Sequence, residues 1–132
     1  MMKSKTLNSK TMNVLIIEDE GDISLILNLM LKKEDIEIEH VTTLAKAATF
    51  LKEKSTDMVI IDNYLPDGLG LDYIKEIKSS YPLIKIIMIT GNTDTTDKAK
   101  AIENGADIFL AKPFTKEQIQ EAIEKVSLLK VA

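Results

Sequence analysis

Four places in this 132-residue chain put a chemically useful polar group directly after a short apolar run. Val59-Ile60-Ile61 ends in Asp62, and the turn-rich stretch from Asn63 through Pro66, Asp67 and Gly68 to Gly70 follows. Asn13-Val14-Leu15-Ile16-Ile17 ends in Glu18-Asp19-Glu20. Ile84 to Ile89 ends in Thr90-Gly91-Asn92, and Asp107-Ile108-Phe109-Leu110-Ala111 ends in Lys112-Pro113. Short β-branched runs of this kind predict buried parallel strands, which need apolar residues on both faces. Open α/β sheets place their ligands at the carboxyl ends of such strands.

Carboxylates gathered there at about 4 Å repel by roughly 4 kcal/mol per pair at an effective dielectric near 20. Protonation, an ammonium group or a hard metal relieves that. An all-oxygen set that leaves room for water suits Mg²⁺. Lys112 adds a positive point charge for Asp62 or for a phosphate. Thr90 adds a hydroxyl, and Gly91 beside it leaves the approach open. One chemistry uses all of these groups. A carboxylate attacks phosphorus, cations neutralise the phosphoryl oxygens, and an aspartyl phosphate results.

The elements that must position these groups are legible between them. Asp22 to Lys33 carries a helical stripe of Ile23, Ile26, Leu27, Met30 and Leu31. Ile36 to Val41 alternates, which predicts an edge strand; His40 on it is read as structural. Thr43 caps a helix that buries Leu44, Ala47, Ala48 and Leu51. Leu71, Ile74 and Ile77 mark a helix that stops before Pro82. Thr95 to Asn104 is a weakly apolar helix, capped by Thr93 or Asp94, with Gly105 where a left-handed C-terminal cap is wanted. Thr115 and Gln118 form a capping box before the stripe Ile119, Ala122, Ile123 and Val126.

Five strands thus alternate with five helices. The expectation is an α/β fold with a five-stranded parallel sheet, doubly wound as (βα)5. A flavodoxin-like strand order, 2-1-3-4-5, sets strand one beside strand three. It brings Asp19 and Asp62 together at the switch point.

Composition narrows the function classes. Apolar residues make up 45% and charged residues 29%, as in an ordinary globular domain. The formal net charge of −4 argues against a nucleic-acid surface. With no cysteine there is neither a disulfide nor a thiolate metal site, which fits a reducing, cytoplasmic setting. No run is long enough to predict a membrane span. Residues 1–12, with Lys3, Lys5 and Lys10, are expected to be a disordered leader, and 13–130 one domain with no second domain following.

Ile16-Ile17-Glu18-Asp19-Glu20, Ile60-Ile61-Asp62-Asn63-Tyr64-Leu65-Pro66 with Gly70, Ile87-Met88-Ile89-Thr90-Gly91, and Ala111-Lys112-Pro113-Phe114 resemble the receiver domain of bacterial two-component response regulators. The resemblance spans Asn13 to about Leu129 and is like that of the chemotaxis regulators. It implies that Asp62 is the phospho-acceptor. It implies that Glu18 and Asp19 hold Mg²⁺, with Asp19 the direct ligand and the backbone carbonyl of Tyr64 a third. Thr90 would be the switch hydroxyl and Lys112 the lysine that contacts a phosphoryl oxygen. Phe109 stands where the family has an aromatic whose rotamer reports activation, here without a hydroxyl. Glu18 replaces the more usual Asp. The implied partners are a histidine kinase or phosphotransfer protein upstream and an effector or output domain downstream. The only catalysis implied is the chain's own phosphorylation and dephosphorylation.

Other classes fit less well. A haloacid-dehalogenase-type phosphotransferase also attacks with a strand-end Asp but needs a second Asp two residues on, where this chain has Tyr64. A flavodoxin-like cofactor binder needs a phosphate-cradling first loop, whereas Glu18-Asp19-Glu20 repels a phosphate. A phosphorylation-independent interaction module on the same fold would not need every site group, and here all are present.

Overall fold

The structure is a computed structural model that describes residues 11–31, 35–91 and 95–129. Strands β1 (Met12–Ile17), β2 (Ile36–Val41), β3 (Met58–Asp62), β4 (Lys85–Thr90) and β5 (Ile108–Ala111) alternate with helices α1 (Gly21–Leu31), α2 (Leu44–Glu53), α3 (Gly70–Ser80), α4 (Thr95–Asn104) and α5 (Lys116–Leu129). All five strands pair parallel in the order β2-β1-β3-β4-β5. This is the expected doubly wound (βα)5 sheet with order 2-1-3-4-5.

The side-chain period of two explains why the central strands are apolar throughout. Leu15 and Ile17 of β1, Val59 and Ile61 of β3, and Ile86 and Met88 of β4 face one side. They pack with Ala47 and Leu51 of α2, Leu71, Ile74 and Ile77 of α3, and Ala101 of α4. Val14, Ile16, Met58, Ile60, Ile87 and Ile89 face the other side, against Leu27 and Leu31 of α1 and Ile119, Ala122, Ile123 and Val126 of α5. β2 is an edge strand, so its Glu37, Glu39 and His40 stay exposed while Ile36 and Ile38 are half-buried.

Local caps form as expected. Thr43 Oγ1 accepts from the Lys46 N–H at 3.1 Å. The Thr115–Gln118 box closes in both directions, at 2.8 and 3.1 Å. Gly105 has φ +120°, and a Cβ there would strike the Lys78 side chain, so glycine serves both the turn and the packing. β1 begins one residue earlier than expected, and β4 reaches one residue further, to include Thr90. β5 starts after Asp107, whose carboxylate instead accepts from the Ile86 N–H at 2.8 Å. Within the Pro-Asp-Gly turn, Tyr64–Leu65 and Gly68–Leu69 form a two-residue antiparallel ladder that the turn residues alone did not predict. The leader through Lys10, the end of the first helix stripe at Lys32 and Lys33, and the expected Thr93 or Asp94 cap lie outside the described residues. Among the described residues, no helix is long and apolar enough to cross a membrane.

Candidate functional site

The ends of β1, β3, β4 and β5 meet at one rim of the sheet. Ile17 pairs with Ile61, so the next residues, Glu18 and Asp62, leave adjacent strands side by side. Asp62 stands opposite Ile89, and Thr90 opposite Ala111, so Thr90 and Lys112 close the cup from the other side. The Lys112 N–H donates to the Thr90 carbonyl at 2.9 Å, and the Lys112–Pro113 peptide bond is cis.

One carboxylate oxygen from each of Glu18, Asp19 and Asp62 lies within 4.8 Å of the other two. Glu18 and Asp62 are buried and Asp19 is exposed. Lys112 Nζ sits 3.2 Å from Glu18 Oε1, 3.4 Å from Asp62 Oδ1 and 3.4 Å from Glu20 Oε1. One ammonium with three protons thus serves three carboxylates.

Burial pushes the Glu18 carboxyl up from its ordinary value, and the neighbouring Asp62 charge pushes it further. Burial also raises Asp62, against the opposing pull of Lys112. For Lys112 burial alone would lower the ammonium, but Asp62 and Glu18 outweigh it and hold the group above its usual value. Among the described residues, the cup therefore carries more negative charge than Lys112 relieves. An all-oxygen, partly open donor set of this kind fits a small hard dication.

The backbone around Asp62 is fixed from both sides. Asn63 is buried; its carbonyl accepts from the Gly70 N–H at 2.7 Å and its Oδ1 from the Leu71 N–H at 2.9 Å, which caps α3. A Cβ at Gly70 would collide with the Asp62 carbonyl oxygen, so only glycine lets α3 approach this closely. Asp67 reaches across to α2, accepting from the Leu44 and Ala45 N–H groups at 2.8 and 3.0 Å. Those bonds hold the Asp67 carboxyl below its ordinary value.

Every expected site residue falls at this rim or on an element that forms it. Thr90 is buried. Tyr64 is the residue after the Asp62–Asn63 step, with its side chain exposed. Phe109 lies on β5, half-buried against the cluster that includes Met88. Two participants were not expected. Glu20 joins the Lys112 ion pairs, and only its place in an acidic triplet hinted at that. His40 Nε2–H donates to the Glu18 backbone carbonyl at 2.7 Å, fixing β1 where Glu18 leaves it; nothing local in the sequence signals this. Asn92 lies outside the described residues.

Comparison with known proteins agrees with this geometry. The chain is 31% identical over 102 residues to the KDP operon transcriptional regulatory protein KdpE of Escherichia coli K12, covering 77% of this chain and 45% of that protein. It is 28% identical over 115 residues to the phosphate regulon transcriptional regulatory protein PhoB of the same strain, covering 86% and 50%. The chain thus spans about half the length of the curated relatives it matches. It superposes on the solution structure of the beryllofluoride-activated NtrC4 receiver domain dimer with a TM-score of 0.85 and 32% identity, covering 89% of this chain and 98% of that one. The family model described as the response regulator receiver domain matches residues 14–124. With five parallel strands in that order and an acidic cup at their carboxyl ends, the chain belongs to the response regulator receiver domain family of two-component signalling.

Proposed function

We propose that Asp62 is the residue that receives the phosphoryl group, and that its phosphorylation biases a surface read by a partner. The observation that carries this is the Lys112 ammonium, within 3.4 Å of an Asp62 oxygen in a cup of otherwise uncompensated acids. In this reading an Asp62 oxygen attacks phosphorus. The bond from phosphorus to the donor's leaving group breaks, and that group departs with the electron pair. Lys112 favours the ionised nucleophile against the burial that disfavours it, and then donates to a phosphoryl oxygen. The Thr90 hydroxyl donates to a second phosphoryl oxygen. Glu18, Asp19 and Asp62, with the Tyr64 backbone carbonyl, would hold Mg²⁺; when bound it neutralises charge on the phosphoryl oxygens.

The product carries about −2 of charge in place of the single charge of the Asp62 carboxylate, and three phosphoryl oxygens that accept hydrogen bonds. Drawing Thr90 and Lys112 toward that charge moves the end of β4 and the start of the loop after β5. Phe109, packed beside Met88, would follow. The two-state surface is then α4, β5 and α5. A decisive population shift takes several kcal/mol, which a few charge-assisted hydrogen bonds supply.

The donor is a histidine kinase or phosphotransfer protein and the reader an effector or output domain. Any nucleic acid would be contacted by that output rather than by this acidic domain. The chain acts on its own Asp62 and turns over no external substrate. The absence of cysteine supports a cytoplasmic setting. Acetyl phosphate with Mg²⁺ should label the wild-type chain and leave Asp62→Ala unlabelled. Strong labelling of Asp62→Ala would refute the assignment.

A further inference from the structure

Lys112 is over-subscribed, and the third acid on it is the one that no step of phosphoryl transfer uses. Its ammonium donates to Glu18 at 3.2 Å and to Glu20 at 3.4 Å, and it lies 3.4 Å from Asp62 Oδ1. A phosphoryl group takes over the Asp62 contact, but Lys112 can turn fully toward it only by loosening its hold on Glu18 or Glu20. Glu18 is a poor candidate: its side chain is 0% exposed, and its second oxygen already accepts from the Glu20 N–H at 3.1 Å. Glu20 differs, with a side chain 63% exposed. Its carboxylate can be rehydrated on release, so it is the least costly contact to break.

We propose that Glu20 is a restraining residue. In the unphosphorylated chain it holds Lys112 toward the mouth of the cup, and it competes with the phosphoryl group for that ammonium. This rests on the phospho-acceptor reading above and adds a regulator to it. Glu20 acts through Lys112 and is a positioning residue. It sets how readily the cup accepts a phosphoryl group. Its position in the loop between β1 and α1 makes it adjustable without repacking the core.

The test is the affinity for beryllofluoride, a phosphoryl mimic, measured by titration calorimetry with Mg²⁺ saturating for each variant. Glu20→Gln removes the competing charge and should tighten binding by about twofold to fivefold, the range an exposed ion pair commands. Glu20→Asp keeps the charge at the mouth but shortens the reach, so it should move affinity in the same direction. Raising the salt concentration should shrink both gains.

Unchanged or weaker binding by Glu20→Gln, in a chain whose wild type binds, overturns the inference alone. So does wild-type affinity in Glu20→Asp, which would make Glu20 a charge at the mouth with no hold on Lys112. No beryllofluoride binding by the wild type overturns the phospho-acceptor reading and this inference with it.

Discussion

Replacing Lys112 with methionine should destabilise the metal-free chain far more than a surface lysine can. The ammonium lies 3.2 Å from Glu18 and 3.4 Å from Asp62, with a side chain only 15% exposed. Each of these attractions is about 5 kcal/mol at an effective dielectric near 20, while the two carboxylates repel each other by an amount of similar order. Methionine fills much the same space but leaves two buried carboxylates with no cation between them. Breaking a buried pair in this way costs about 3–5 kcal/mol, a large share of the 5–15 kcal/mol that holds a typical domain together. The loss should be partly hidden by proton uptake, because Glu18 and Asp62 are already pushed toward their neutral forms.

Urea unfolding followed by circular dichroism, in buffer with a chelator, measures this directly. The deficit of Lys112→Met should be largest above neutral pH and shrink as pH falls and the carboxylates protonate. Lys116→Met, at an exposed site on α5, should stay within about 0.5 kcal/mol of wild type. Wild-type stability in Lys112→Met at neutral pH, or a deficit that does not change with pH, would refute the charge balance described for the cup.

Other outcomes follow from the same geometry. Asp62→Asn should be more stable than wild type at neutral pH without Mg²⁺. The raised Asp62 value means that the ionised form is disfavoured by folding. That penalty is absent below the unfolded-state value and grows as pH rises through the folded one, so the gap should close in acid; thermal melts across pH check it. Asp67→Ala should lower the melting temperature by uncapping α2. Because the Asp67 value is lowered, its contribution is present above the unfolded-state value and lost as pH falls through the folded one. The difference from wild type should therefore vanish in acid. Gly70→Ala should cost about 1–3 kcal/mol by pressing a methyl group on the Asp62 carbonyl, and should slow phosphorylation. Denaturation and labelling rates measured together read both effects.

What was legible in the sequence was local or strictly periodic. The apolar runs of β1, β3 and β4 announced strands buried on both faces, and the alternation of β2 announced an edge. Thr43 and the Thr115–Gln118 pair could be read as caps because both partners lie within one helical turn. Contacts that depend on the finished fold left no such trace. Asp67 caps a helix that begins 23 residues earlier, and Lys112 meets Glu20 across 92 residues. His40 sits on an edge strand with no acidic neighbour in its pattern except Glu37 and Glu39, yet it grips the Glu18 carbonyl. Only the register of β1 against β2, Ile16 opposite His40, brings that contact about.

The phospho-acceptor assignment can be read at a single atom. After incubation with acetyl phosphate and Mg²⁺, borohydride cleaves an aspartyl phosphate and leaves homoserine where the aspartate stood. Peptide sequencing by mass spectrometry should find homoserine at position 62 and at no other carboxylate. Homoserine at Asp19, Asp67 or another acid, or none at all in a chain that took up phosphate, would contradict it.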